Sequence, residues 1–198
     1  MLHVRTTSLA HTHAVAAAIA QLSRSGDVLV LAGEMGAGKT AFAQGFGAAL
    51  GVDEPITSPT FNLVHSYPAG RITLHHADVY RLATQNEVAD LALGELAEDR
   101  GIVLVEWGDV VAGVLGDHLA VRLDTVDIPP DVAADADPDA DLDADVSAAV
   151  AVDVAAAGDI DPDVILDEPR DITITGVGRS WATRWAALEQ ALGGVASC

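Results

Sequence analysis

The 198-residue chain has very little of three features that mark other protein classes: cysteine, lysine and long apolar runs. Its single cysteine, Cys198, forms no internal disulfide and lacks metal-ligand spacing, so a reducing, cytoplasmic setting is predicted. No uninterrupted apolar stretch reaches about 18 residues, so we expect no transmembrane helix and no membrane partner. The N-terminal residues show no apolar core of a signal peptide.

Basic residues are also scarce, since 10 of them stand against 30 acidic ones and the formal net charge is −20. Broad binding to phosphate backbones needs clustered Lys and Arg, so this composition argues against such a surface. The acid is concentrated between Asp127 and Glu168, where there are 13 Asp, one Glu and no basic residue. The other 16 acidic and 10 basic residues give −6, an ordinary balance for a cytosolic domain.

The acidic segment, residues 127–170, has few large apolar side chains and one sign of charge. We therefore predict a largely disordered low-complexity insertion in a chain, 1–198, that otherwise forms a single domain. Its alternating Asp residues suggest a calcium loop as an alternative. An EF-hand loop needs a turn Gly and a twelfth-position Glu, and neither is in place.

Apolar periodicity in the rest of the chain predicts an α/β domain. A helix over 12–22 precedes a short, fully apolar strand at 28–31, which is typical of a buried parallel strand. A helix over 40–50 follows and ends at Gly51. The remaining predicted elements are a hairpin of strands at 61–67 and 71–76, a helix at 86–98, strands at 102–105 and 119–123, an exposed edge strand at 172–175 and a closing helix at 180–192.

The loop before the second helix reads Gly33-Glu34-Met35-Gly36-Ala37-Gly38-Lys39-Thr40, a complete G-x-x-x-x-G-K-[ST] motif, or P-loop. Its glycines let backbone N–H groups face phosphates, and the following helix, which contains Ala41, directs its positive end there. In such loops the lysine bridges β- and γ-phosphate oxygens and the hydroxyl binds Mg²⁺. Lys39 is the only lysine of the chain, which favours nucleotide binding over a chance match. We expect it to face solvent without a ligand.

Two acidic residues follow predicted strands. Glu106 comes directly after four apolar residues, the arrangement of a Walker B carboxylate near Mg²⁺. Asp78 follows another strand, where it is a candidate for orienting the attacking water or supporting the metal through a water. The alternative for both is a solvent-facing acid at a strand end.

Three neighbouring side chains leave their roles open. His75 and His76 invite a metal interpretation, but strand alternation places them on opposite faces, so structural roles are favoured. Trp107 either packs in the core or lines the nucleotide pocket. Guanine recognition by an N/T-K-x-D loop needs a further lysine, so ATP is favoured over GTP.

Four segments in order resemble the TsaE family, bacterial ATPases of tRNA N6-threonylcarbamoyladenosine (t6A) biosynthesis. These are GEMGAGKT, ITSPTFNLVHSY (56–67), LHHADVYRL (74–82) and LVEWGD (104–109). The resemblance covers residues 12–124 and implies a three-layer α/β P-loop fold with a mixed parallel and antiparallel sheet. It also implies roles for Lys39 and Thr40 in binding ATP and for Glu106 in binding Mg²⁺.

The same resemblance extends to three more positions and to partners. It places Thr60 in a switch-like loop near the γ-phosphate and Thr12 near the nucleotide base. We therefore predict Lys39, Thr60 and Asp78 as the catalytic residues. The resemblance also implies that the chain binds a TsaD–TsaB heterodimer and meets tRNA only through that complex. The alternatives are a P-loop kinase of small molecules, although no cluster of arginines supplies a lid, and a nucleotide-gated module with negligible hydrolysis.

Overall fold

The computed structural model describes residues 1–59, 62–82, 84–98, 100–110, 112–126 and 168–195. Its strands are β1 Leu2–Thr6, β2 Val28–Ala32, β3 Val64–Ala69, β4 Ile72–Asp78, β5 Gly101–Glu106, β6 His118–Thr125 and β7 Arg170–Val177. Its helices are α1 Leu9–Leu22, α2 Lys39–Leu50, α3 Gln85–Ala89, α4 Leu93–Glu98 and α5 Trp185–Val195. Two short 3-10 turns, Gly108–Val110 and Ala112–Val114, follow β5.

The seven strands form one mixed sheet in the order β1-β7-β6-β2-β5-β4-β3. The central strands β6, β2, β5 and β4 are parallel to one another. The outer strands pair antiparallel: β7 with β6, β1 with β7, and β3 with β4. This is an α/β domain of the P-loop NTPase type, so the predicted fold class is confirmed.

The two central strands are apolar throughout because both faces of the sheet are covered. Every residue of β2 and of β5 is buried. Alternate side chains enter two clusters: Leu29 and Leu104 pack in the one that also holds buried residues of α1, α2 and α5, whereas Val103 packs with residues of α3 and α4. The carboxyl ends of β2, β4 and β5 therefore meet at one edge, where a ligand site is expected.

The outer half of the sheet differs from the prediction. Strand β1 was not predicted, and β7 is no edge strand because it lies between β1 and β6. Its alternation has another cause: Ile172 and Ile174 are buried, while Asp171 on the opposite face is exposed. The same alternation of apolar and polar residues occurs in an edge strand and in an internal strand with one solvent-exposed face, so the sequence pattern does not distinguish the two.

Three element boundaries also differ. The helix predicted over 86–98 is two helices, separated at Ala92, which has a positive φ of 48°. The hairpin is present, but β3 begins only at Val64. The closing helix begins at Trp185 because a preceding turn is held by Asp117, whose carboxylate accepts the backbone N–H groups of Arg179 and Ser180.

Several predictions fall on residues outside the described ranges, namely Thr60, Cys198 and the acidic segment from 127 to 167. At the end of the predicted segment, Arg170 is paired with Thr125 in the sheet, so the strand resumes at that residue. Among the helices that the structure describes, none is long and apolar enough to cross a membrane.

Candidate nucleotide-binding site

The P-loop connects the carboxyl end of β2 to the first turn of α2. Gly33, Gly36 and Gly38 all have positive φ, at 138°, 81° and 97°, so the loop uses a backbone shape that other residues rarely adopt. Space matters as well, since a Cβ on Gly33 would collide with the carbonyl oxygen of Leu123 in β6. Gly38 is the N-cap of α2 and carries no capping side chain, which leaves the helix N-terminus open to an anion.

Lys39 is buried, with 5% of its surface exposed, so the expectation that it faces solvent is wrong. Its ammonium group donates to the carbonyl oxygens of Gly33 at 2.9 Å and Glu34 at 2.7 Å. The ring of Trp107 lies over the same nitrogen, 3.7 Å from ring centroid to Nζ. The lysine is thus held by its own loop and by an aromatic face, at the position where phosphates would bind.

Electrostatics at Lys39 are a balance between burial and neighbouring acids. Desolvation lowers the pKa of Lys39 from 10.5, and the negative charges of Glu106, Asp78 and Asp109 oppose that shift. Burial is the larger effect. A phosphate group that bound here would supply a further negative charge, which would favour the protonated ammonium.

Glu106 ends β5 and is 3% exposed. Its Oε1 accepts two hydrogen bonds of 2.9 Å, one from the hydroxyl of Thr40 and one from Nε2 of His76. Thr40 belongs to α2 and His76 to β4, so the carboxylate of Glu106 connects the P-loop helix with the strand next to β5. The structure therefore brings together the two predicted metal ligands, Thr40 and Glu106.

Asp78 ends β4 and is buried next to the same site. Its Oδ2 accepts the hydroxyl of Ser58 at 2.7 Å, and its Oδ1 accepts the backbone N–H of Tyr80 at 2.9 Å. Ser58 precedes the segment that contains Thr60. The carboxylate of Asp78 thus anchors the chain that leads to the predicted switch-like loop.

Trp107 follows Glu106 with a positive φ of 62°. Besides covering Lys39, its ring contacts that of Tyr80 at 4.8 Å between centroids. It therefore packs against its neighbours and also lines the site, which are the two roles that the sequence left open. Tyr80 itself is 57% exposed, so this aromatic pair reaches the protein surface.

The remaining predicted residues lie in two places. Ala41 is buried in α2 and Ala37 in the loop, whereas Met35 is 74% exposed at the loop's tip. Thr12 lies in α1, and its hydroxyl makes hydrogen bonds with Thr6 at 3.1 Å and with the carbonyl of Ser8 at 3.3 Å rather than with the P-loop.

Sequence reasoning did not place two residues in the site: Ser58, which it did not single out, and His76, for which it favoured a structural role. Ser58 stands beside Pro59 and so marks a turn in the sequence. Its hydrogen bond to Asp78, 20 positions later, has no local sequence signal. His76 lay two residues before Asp78, and period-two alternation places both on one face of β4. Applied to Asp78 as well as to His75, that rule would have located His76 in the site.

The donor set fits Mg²⁺. A carboxylate and a hydroxyl are hard oxygen ligands, and Mg²⁺ is commonly held by one or two carboxylates together with substrate phosphates. Among the described residues no three His, Cys, Asp or Glu side chains are grouped to hold a metal by themselves. Thr40 and Glu106 would therefore hold a metal only together with a further ligand such as a phosphate.

Two curated bacterial proteins are similar in sequence to this chain over 54% and 83% of its length. A protein of Streptomyces coelicolor is 34% identical over 169 residues, which are 83% of this chain and 90% of that protein. A protein of Bacillus subtilis is 41% identical over 107 residues, 54% of this chain and 66% of that protein. Both are named tRNA threonylcarbamoyladenosine biosynthesis protein TsaE.

The fold is shared with a crystal structure of Bacillus subtilis YdiB, at a TM-score of 0.59 and 27% identity over 97% of this chain and 93% of that one. Residues 6–129 match the sequence model of the family described as threonylcarbamoyl adenosine biosynthesis protein TsaE. That match contains the P-loop, Asp78, Glu106 and Trp107. Because it spans more than half of the sequence, the chain belongs to the TsaE family, which acts in t6A biosynthesis.

Proposed function

We propose that this protein is a Mg²⁺-dependent ATPase that supports t6A modification of tRNA by binding a TsaD–TsaB heterodimer. The observation that carries the proposal is the hydrogen bond between Thr40 of the P-loop helix and Glu106 at the end of β5. This contact joins a phosphate-binding loop to an acidic metal ligand. P-loop ATPases use the same two parts for nucleotide and Mg²⁺.

Each residue of the cluster has a task in this proposal. The open N-terminus of α2 and the ammonium of Lys39 bind the phosphates, after Lys39 exchanges the carbonyls of Gly33 and Glu34 for phosphate oxygens. Thr40 and Glu106 would hold Mg²⁺, which supplies charge neutralisation on the phosphates when it is bound. Asp78 accepts a hydrogen bond from the water that attacks, because its carboxylate lies at the adjacent strand end.

The partner proposal rests on family membership and on what the chain lacks. The relatives' names place them in t6A biosynthesis, and modification of tRNA needs a surface that holds a polyanion. With a formal net charge of −20 the isolated protein repels tRNA at long range. A TsaD–TsaB pair would supply that surface, and ATP would control the segment around Thr60 that Ser58 anchors to Asp78.

The test measures phosphate release from ATP by the full chain, with and without a TsaD–TsaB pair, in Mg²⁺ and in EDTA. We expect slow release by the chain alone, clear stimulation by the pair, and no release in EDTA. A parallel titration with labelled tRNA at about 0.15 M salt should show no tight binding without the pair. Submicromolar tRNA binding by the isolated chain would contradict the component role.

GTP serves as the matched control substrate. Guanine recognition by an N/T-K-x-D loop needs a lysine in addition to that of the P-loop. The only lysine in the sequence is Lys39, which belongs to the P-loop. We therefore expect ATP to be hydrolysed in preference to GTP. Transfer of the phosphoryl group to an added nucleoside or sugar, in place of release as inorganic phosphate, would identify a kinase and overturn the proposal.

A further inference from the structure

His76 is a completely buried histidine that contacts the proposed metal ligand. Its exposed surface is 0%, and its Nε2 donates to Oε1 of Glu106 at 2.9 Å. The hydroxyl of Thr40 donates to the same oxygen. Within the described part of the chain, both hydrogen bonds to this carboxylate thus fall on Oε1.

The sheet dictates this contact. Strands β4 and β5 are parallel, with Asp78 opposite Glu106 and His76 opposite Leu104. His76 and Asp78 are two residues apart, so their side chains lie on one face of β4. The strand therefore directs two polar side chains at the end of β5, of which His76 is the deeper.

The other ring nitrogen of His76, Nδ1, indicates which nitrogen of the ring carries the proton. Nδ1 is buried and has no hydrogen-bond partner among the described residues. A proton on Nδ1 would be a buried donor with no acceptor, so the neutral ring with its proton on Nε2 is favoured. In that form His76 has one hydrogen bond to give, and it gives it to Glu106. A leucine would fill this apolar interior without an unsatisfied nitrogen.

We propose that His76 is a positioning residue, which fixes the carboxylate of Glu106 through Oε1 and leaves Oε2 for Mg²⁺ or a metal-bound water. The inference rests on the proposed function, since it assigns His76 to the same metal site. Residues that orient a metal ligand typically change metal affinity or activity by about 10- to 100-fold when they are replaced. In this role His76 raises the affinity of the site for the metal by fixing the orientation of the Glu106 carboxylate.

Two amide variants separate this role from simple packing. The amide nitrogen of Gln extends about as far from the backbone as Nε2 of histidine, whereas that of Asn corresponds to Nδ1. Binding of Mn²⁺ to the full chain with a non-hydrolysable ATP analogue is measured by electron paramagnetic resonance. We expect H76N to weaken Mn²⁺ binding by about 10-fold or more and H76Q to stay within about threefold of the parent. Affinity for the analogue in EDTA should change little in both variants.

Two comparisons make the outcome specific. His75 lies on the other face of β4 and makes a hydrogen bond with Ser66 at 2.8 Å, so H75N is the matched control and should bind Mn²⁺ like the parent. In an E106Q background H76N should add little further loss, because the two residues act as one unit. Parent-like Mn²⁺ binding by H76N overturns the inference. Failure of the parent itself to bind Mn²⁺ with the analogue overturns the proposed function instead.

A measurement on the unaltered chain covers the case in which H76N does not fold. Nitrogen-15 chemical shifts of the His76 ring distinguish a protonated Nε2 from a protonated Nδ1. We expect protonation on Nε2 alone, and a shift of the Nε2 signal in E106Q. A ring that carries its proton on Nδ1 cannot donate to Glu106 and would overturn the inference.

Discussion

Asp78 and Glu106 stand opposite each other in register at the ends of two neighbouring parallel strands. Their hydrogen bonds nevertheless lead in different directions. Asp78 holds Ser58 and the backbone of Tyr80, whereas Glu106 holds Thr40 of the P-loop helix. The two carboxylates therefore make hydrogen bonds to different segments of the protein, and we expect their replacement to have different effects.

The first prediction concerns these two acids. Glu106→Gln removes a negative charge from the proposed metal site, so it should weaken Mg²⁺-dependent ATP hydrolysis by far more than it weakens ATP binding in EDTA. Asp78→Asn keeps Glu106 and should lower the hydrolysis rate with the Mg²⁺ dependence unchanged. Both are measured as phosphate release over a Mg²⁺ titration. An inverted pattern, with Mg²⁺ dependence lost in the Asp78 variant, would assign the metal to Asp78.

The second prediction concerns Lys39. Lys39→Met keeps an unbranched apolar stem but removes the ammonium group, so it should weaken ATP binding by about 1.5–3 kcal/mol, or roughly 10- to 150-fold. Because the lysine is buried and its pKa is lowered by desolvation, its neutral replacement should not destabilise the fold. Calorimetric ATP titration and thermal unfolding check the two statements. Unchanged ATP affinity would refute the phosphate role of Lys39.

The third prediction is a pH dependence. The pKa of Lys39 lies below 10.5 in the free protein, and bound phosphates would raise it. Binding therefore takes up a proton when the free lysine is neutral, so ATP affinity should fall as pH rises through the lowered pKa. The fall should begin at a lower pH than an ordinary lysine would give. Dissociation constants from about pH 7 to about pH 10 test this, and a flat profile would contradict it.

The fourth prediction concerns the insertion. The strands on either side of it are paired up to Thr125 and Arg170, and the N–H of Val126 donates to the carbonyl of Pro169 at 3.3 Å. The chain ends are thus adjacent, so replacing 127–167 by a linker of about four residues should close a β-hairpin. We expect the melting temperature to stay within about 3 °C and ATP affinity to stay within about twofold. A larger loss of stability would mean that the segment packs on the domain.

The fifth prediction tests whether the C-terminal region belongs to the same folding unit. Arg184 makes two hydrogen bonds to the carboxylate of Asp27, at 2.6 and 2.7 Å, and both side chains are buried. Removing one partner leaves the other charge buried, so Arg184→Met should lower the free energy of unfolding by about 3–5 kcal/mol. The double variant with Asp27→Asn should recover part of this loss. Denaturant unfolding measures both.

Much of the central fold could be predicted because its signals are local. The fully apolar strand before Gly33, the glycine spacing of the loop and the acid after 102–105 each follow from short-range pattern rules. Family resemblance then supplied the mixed sheet. Strand β1 was missed although Leu2, Val4 and Thr6 alternate with polar residues, because five residues are a short signal, and their pairing with the distant β7 is visible only in the folded sheet.

The same distinction applies within the site. Lys39, Thr40 and Glu106 were predicted by motif and position. The burial of Lys39 was not, because it depends on contacts that exist only in the folded protein, among them the ring of Trp107, 3.7 Å from Nζ to the ring centroid. The pairing of His76 with Glu106 joins positions 30 residues apart in the chain, and it depends on the register of β4 against β5. Register is a property of the assembled sheet.

Gly33 lies so close to the carbonyl oxygen of Leu123 that a Cβ at position 33 would collide with it. Leu123 belongs to β6, two residues before that strand ends at Thr125. Replacing Gly33 by any other residue would therefore displace either the start of the phosphate-binding loop or strand β6, and the substitution would disturb the nucleotide site and the sheet together.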